Sequence, residues 1–268
     1  MIAPVNSALD HMRRIVAAET ADQLWHRLIG AVGDYGFDRV VYGCTRTRSE
    51  GSLGDIRDAM FLSNHPGGTE PDGFDMRFFM RTPMFRWAMT HTGACSWRWA
   101  EDERDAGRLT TDEIAAMDAA RRSGRQAGYT ISFADPSPRA KGAMGLTARP
   151  DLSQPEVDAL WQRLGQEIEA ICTVFHLRMG QMPIRGERRP LSPRQREALE
   201  WVAEGKTTQD IAQIMGVSPA MVEKHLRLAR EALDVETTAH AVAKAALLNQ
   251  LFSALQPAGG IGSRVDAR

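Results

Sequence analysis

The stretch GKTTQDIAQIMGVSPAMVEKHLRLAREAL, Gly205 to Leu233, decides how this chain is read. It holds two short helical patterns around a tight turn. Thr207 or Thr208 caps the first, whose Ile211, Ala212 and Met215 share a face. Gly216 supplies the turn, and Ser218-Pro219 opens the second pattern as N-cap and first helical residue. Val222, Leu226, Ala229 and Leu233 then recur at spacings of 4, 3 and 4, which marks a buried stripe. Met221, Glu223, Lys224, Arg227 and Arg230 lie off that stripe. On the second helix of a helix-turn-helix they would project into a major groove, where long basic side chains reach guanine edges or phosphates. On residue types alone, a solvated face of mixed charge is the commoner explanation of such a pattern.

The same spacing extends in both directions, so that residues 191–255 read as an all-α unit of four helices. Ser192-Pro193 starts its first helix, Leu199 and Val202 lie on the buried side, and Gly205 ends it. The unit carries 7 Lys+Arg against 8 Asp+Glu, so any affinity for DNA must come from where the charges sit. The run RMGQMPIRGERRPLSPRQRE, Arg178 to Glu197, mixes Gly, Pro and six arginines as exposed linkers do. The chain accordingly divides into a domain over 1–178, a linker over 179–190, the helical unit, and a tail over 256–268 that is expected to be disordered.

In the first domain, ADQLWHRLIGAVGDYGF has helical spacing, and FDRVVYGCT follows it with β-favouring Val40, Val41 and Tyr42. TTDEIAAMDAARRSG predicts a second helix capped by Thr110 or Thr111, leading into the strands GYTISFAD and KGAMGLTAR. SQPEVDALWQRLGQEIEAICTVFHLRM predicts a long helix capped by Ser153, with Val157, Leu160, Leu164, Ile168 and Ile171 along one stripe. Helices alternating with strands in this way suggest an α/β sandwich with room for a buried ligand. Asp135, before Pro136, reads as a turn residue.

At 268 residues, 43% hydrophobic and 25% charged, the composition is that of an ordinary globular protein. The net charge of -1 offers no global attraction for nucleic acid. Cys44, Cys95 and Cys172 are odd in number and far apart, which suits buried free thiols in a reducing compartment. No signal peptide or membrane-spanning run is legible, so the expected location is cytoplasmic. HExxH, GxSxG, GxGxxG and Walker patterns are all missing from the sequence, which argues against an enzyme. His65, His91 and His176 could converge only through the fold, and no metal site is expected.

LSPRQREALEWVAEGKTTQDIAQIMGVSPAMVEKHLRLAREALDVETTAHAVAKAALLNQL resembles the DNA-binding domain of LuxR-type transcription regulators over its full length. The LSPR start, the EGKT turn, the DIA core, the GVS turn, Val222 with His225-Leu226, and AVAKA carry the match. The resemblance implies that the third helix reads DNA and the fourth contributes to dimer contacts. The DNA-contacting set is then Thr207, Thr208, Ser218, Met221, Glu223, Lys224, Arg227 and Arg230. Gln195 replaces a usual glutamate, Met221 a usual threonine, and Glu223 a frequent base-reading lysine, so the target sequence should differ from those of familiar relatives.

LWHRLIGAVGDYGFDRVVYG, GYTISF and MGLTA resemble the autoinducer-binding domain of the quorum-sensing LuxR group. That resemblance implies an α-β-α sandwich with a central antiparallel sheet enclosing an N-acyl homoserine lactone, and no cofactor is expected. The family's Asp-Pro appears here as Thr82-Pro83, and its usual tryptophan and tyrosine are missing from the preceding segment. A buried ligand amide without its acceptor loses about 1 to 3 kcal/mol, so a non-standard apolar ligand or ligand independence is also in view. The ligand-contacting set is Tyr42, Phe79, Thr82, Met84, Trp87, Trp99, Ser132 and Thr147, with Thr147 and Ser132 as polar orienting groups. The expected partners are a two-fold-symmetric DNA operator and a second copy of the chain, with RNA polymerase a further candidate. A different outcome, an antagonist that pairs with another LuxR-type regulator, is motivated by Glu223, Gln195 and the near-neutral charge.

Overall fold

FDRVVYGCT forms β1 (Phe37–Thr45), the strand around which the N-terminal domain is arranged. It pairs with β2 (Met60–Ser63) on one edge and β5 (Lys141–Ala148) on the other. β5 carries β4 (Gly128–Ser132), and β4 carries β3 (Gly93–Ser96). The order is β2-β1-β5-β4-β3, with every pairing antiparallel. The computed structural model describes residues 7–48, 53–65, 76–135, 137–183 and 190–252.

Side chains alternate across a strand, and here the two faces differ in size. Val40, Tyr42, Tyr129, Ile131, Met144 and Leu146 form one large apolar face. It packs on α1 (Ala8–Val16), α2 (Ala21–Asp34) and α7 (Gln154–Met179). The opposite face presents Val41, Gly43, Thr130, Ala143, Gly145 and Thr147. It lies under α3 (Met76–Phe79), α4 (Pro83–Thr90), α5 (Arg98–Asp105) and α6 (Thr111–Arg122). The expected α-β-α sandwich is therefore present, with a tight core on one side and a floor of small residues on the other.

The expected helices and strands form close to their sequence limits. Thr110 caps α6, and Glu113 closes a capping box by accepting from the Thr110 N–H at 2.8 Å. Ser153 and Glu156 do the same at the start of α7. The domain packing runs past the expected boundary at 178, because α7 continues to Met179 and Met182 is buried in the same core. The remainder of the expected linker, 184–189, and the expected disordered tail lie outside the described residues. Only Cys172 of the three free cysteines is fully buried; Cys44 and Cys95 are half-buried, which corrects that expectation.

The C-terminal unit consists of α8 (Pro193–Ala203), α9 (Thr208–Met215), α10 (Pro219–Leu233) and α11 (Thr238–Leu247). Val222, Leu226, Ala229 and Leu233 on α10 pack among Leu199, Ile211, Met215, Ala241 and Ala245. Gly216 ends α9 at φ 65°, a left-handed conformation that glycine adopts without strain. At the start of α8, the Gln195 side chain accepts from the Ser192 N–H at 2.8 Å, so a neutral amide fills the role usually taken by a glutamate.

The two units are docked. Lys244 on α11 places Nζ 2.7 Å from Asp58, and both side chains are largely buried. Arg46 donates to the Leu247 carbonyl at 2.7 Å and also to that of Gly180. Asn249 donates to the Gly180 carbonyl at 2.7 Å and to that of Met182 at 3.3 Å, while Leu248 enters the N-terminal core.

Candidate ligand cavity and DNA-reading face

The small residues of the sheet leave space beneath α3 to α6. Glycine or alanine at three of these floor positions removes the side chains that would otherwise fill the gap. One cavity, about 720 Å³ including its open mouth, lies over Val41, Thr130, Gly145 and Thr147. Its walls are Phe78, Phe79, Pro83, Met84, Trp97 and Met117. A second, about 480 Å³, lies over Gly43 and Ala143 and meets the first at Phe79. Both volumes include space open to solvent, and it is the apolar wall around a few polar groups that suits a small organic ligand.

Of the expected ligand contacts, Phe79, Thr82, Met84 and Thr147 come together in the first cavity. Tyr42 does not. Strand alternation turns it to the α7 side, where its ring packs on Phe175 and its hydroxyl lies 2.9 Å from His176 Nδ1. Trp87 belongs to a neighbouring apolar cluster and stacks on His91, and Trp99 lies under the guanidinium of Arg86. Ser132 donates to the Ala88 and His91 carbonyls, at 2.9 and 2.6 Å, and so anchors α4 and its C-terminal end to β4. These four side chains line neither described cavity.

Several wall residues lie outside the expected contact set. Trp97, at the N-cap of α5, replaces Trp99 as the cavity tryptophan, and its indole N–H donates to Thr130 at 3.0 Å. The period of two along β4, which puts Thr130 beside Gly128 and Ser132, was the available signal. His65 and Arg125 also line the cavity and are buried. Burial, with the charges of Arg125 and Arg39, pushes the His65 pKa down to about 3, so this imidazole is neutral at physiological pH. Nothing in the local sequence around either residue marks it as a wall position.

Thr82, standing where the family has an aspartate, is the N-cap of α4. Its hydroxyl donates to the Phe79 carbonyl at 2.8 Å and accepts from the Phe85 N–H at 3.2 Å. Asp135 is more than the turn residue it was expected to be. It accepts from the Gly142 N–H at 2.8 Å and lies 3.1 Å from His176 Nε2. Burial alone would raise its pKa, but the bonds from His176 and Gly142 hold it below the usual carboxylate range. His65, His91 and His176 occupy separate places and do not converge.

On the DNA-reading side, Ser218 caps α10 through the Met221 N–H, and Met221, Glu223, Lys224 and Arg227 are exposed. Docking against the sensor domain leaves this face open. Thr207, rather than Thr208, caps α9, while Thr208 donates to Glu223 at 3.0 Å across the turn. Arg227 pairs with Glu231 along the exposed face. Arg230 turns away from that group and donates to Thr238 at 2.9 Å, fastening α11 to α10.

Comparison with known proteins agrees with this architecture. Residues 20–179 match the autoinducer binding domain family, and residues 190–233 match the sigma-70 region 4 family. Transcriptional activator protein AnoR of Acinetobacter nosocomialis is 24% identical, over 90% of this chain and 98% of its own length. Transcriptional activator protein TraR of Rhizobium radiobacter is 30% identical, over 64% of this chain and 71% of its own. The crystal structure of Escherichia coli SdiA shares the fold with a TM-score of 0.50 at 18% identity, covering 92% of this chain and 98% of that one. AnoR and TraR are regulators of transcription and not enzymes. No described helix is long and apolar enough to cross a membrane. With both halves matched in this order, the chain belongs to the LuxR-type quorum-sensing transcriptional regulators, an autoinducer-binding domain followed by a helix-turn-helix.

Proposed function

We propose that this protein is a homodimeric, cytoplasmic regulator that binds a two-fold-symmetric operator and is controlled by a small, largely apolar ligand. The observation that carries the reading is an apolar-walled cavity with a few polar groups in the same chain as an exposed recognition face. Each copy supplies one α10, and a dimer sets two of them about one turn of DNA apart. Ala239, Ala243 and Ala246 are exposed along α11, and such small side chains permit close approach of a second copy's helix. Met221, Glu223, Lys224 and Arg227 are the proposed base and phosphate contacts, with Thr207, Thr208 and Ser218 at the flanking helix starts. RNA polymerase is a further proposed partner.

The test is binding of the full-length protein to promoter fragments against competitor DNA, with the oligomeric state followed by sedimentation. Lys224→Ala and Arg227→Ala should each weaken operator binding by about 1–3 kcal/mol and leave dimerisation unchanged. Equal affinity for operator and competitor would instead favour an antagonist that pairs with another LuxR-type regulator. Glu223 supports that second reading, because a carboxylate on the recognition face repels nearby phosphate.

A further inference from the structure

The carboxylate on the DNA-reading face is held in a defined position. Ala220, Glu223, Lys224 and Arg227 stand at i, i+3, i+4 and i+7 and share one exposed face of α10. Glu223 precedes Arg227 by four residues, a spacing at which opposite charges commonly pair along a helix. That pair does not form. Arg227 turns to Glu231, and the hydroxyl of Thr208, the first residue of α9, donates to Glu223 Oε1 at 3.0 Å across the turn. Among the described residues Glu223 makes no ion pair and its Oε2 no hydrogen bond. An exposed anion is thus fixed in the first turns of α10, the part of a recognition helix that reaches base edges.

We propose that Glu223 selects a cytosine in each operator half-site by accepting from its N4 amino group. This step rests on the reading of α10 as the recognition helix of a sequence-specific regulator. A carboxylate offers only acceptors, so it is repelled by O6 and N7 of guanine and by O4 of thymine. Cytosine and adenine carry an amino donor in the major groove, but adenine sets its N7 acceptor beside that donor, whereas cytosine has no acceptor of its own on this edge. Thr208 is the positioning residue. It occupies one carboxylate oxygen and leaves the other for the base.

The experiment selects duplexes from a randomised pool with the full-length protein. Competition at one salt concentration then ranks four operators that differ only at the selected position. The parent should hold cytosine there, with a loss of about tenfold or more for guanine or thymine. Glu223→Gln should shift the position to adenine, whose N6 and N7 a carboxamide reads, and Glu223→Lys to guanine, whose O6 and N7 accept from an ammonium group. Thr208→Val should keep cytosine and narrow its margin; an unchanged margin would remove Thr208 from the assignment. Ranking duplexes against one another at fixed salt cancels the sequence-independent affinity that the loss of a negative charge adds. A parent that selects another base there, or a preference unchanged in both Glu223 variants, would overturn the role of Glu223 while leaving α10 as the recognition helix. No preference of the parent for selected over random duplexes would overturn this proposal together with the reading on which it rests.

Discussion

Asp58→Asn is expected to remove about 3–5 kcal/mol from the free energy that holds the two units together, the usual effect of stripping one partner from a buried ion pair. Lys244 Nζ sits 2.7 Å from the Asp58 carboxylate with side-chain exposures of 11% and 2%, and its other bond is to the Leu233 carbonyl at 3.0 Å. Without the carboxylate, an ammonium group would be left in an environment that cannot hydrate it. The protein can respond by letting the units separate, so the loss is limited by the docking free energy itself. Calorimetry should show a cooperative endotherm in the parent resolving into two in the variant. Pairing the change with Lys244→Met should restore most of the loss, because two neutral side chains leave no stranded charge. If Asp58→Asn melts like the parent, the ion pair contributes nothing in solution.

Acidification from pH 7 to pH 4 should destabilise the protein by roughly 3 kcal/mol through His65 alone, at 1.36 kcal/mol per unit of pKa difference. Above about pH 6.5 the imidazole is neutral in both the folded and the unfolded chain and has no effect. Below that value the unfolded chain takes up a proton that the folded chain refuses until about pH 3, so stability falls across this window. His65→Gln removes the titration, and its urea midpoint should fall less steeply between pH 7 and pH 4. Parallel profiles for the two proteins would show that His65 is not held neutral. Asp135 acts lower on the scale. With its folded pKa depressed, its contribution is complete above about pH 4 and disappears below that, so the two groups separate by pH.

Much of the fold could be read from the chain because the signals were local. The stripe from Val222 to Leu233, the caps at Ser192, Thr207 and Ser218, and the apolar run of α7 each follow from spacing within one element. Short elements were harder. α1, β2, β3, α4 and α5 are nine residues or fewer, and their apolar positions acquire meaning only beside the sheet. The cavity was half legible for the same reason. Phe79, Thr82, Met84 and Thr147 fit the family likeness. Tyr42 lies off the cavity because the pleat puts Val41 on that face and turns Tyr42 to the other. Arg125 and His65 follow or precede elements whose placement depends on long-range packing, which no local pattern encodes.

The shared carbonyl of Gly180 has a topological consequence. The chain leaves the sensor core after Met182 and returns to it at Leu248, and Asn249 bridges exit and return by bonding Gly180 and Met182. The DNA-reading unit is therefore a clasped excursion, closed by non-covalent bonds at its neck. The groups at this neck hold exit and return together, so the two units part only when the neck gives way.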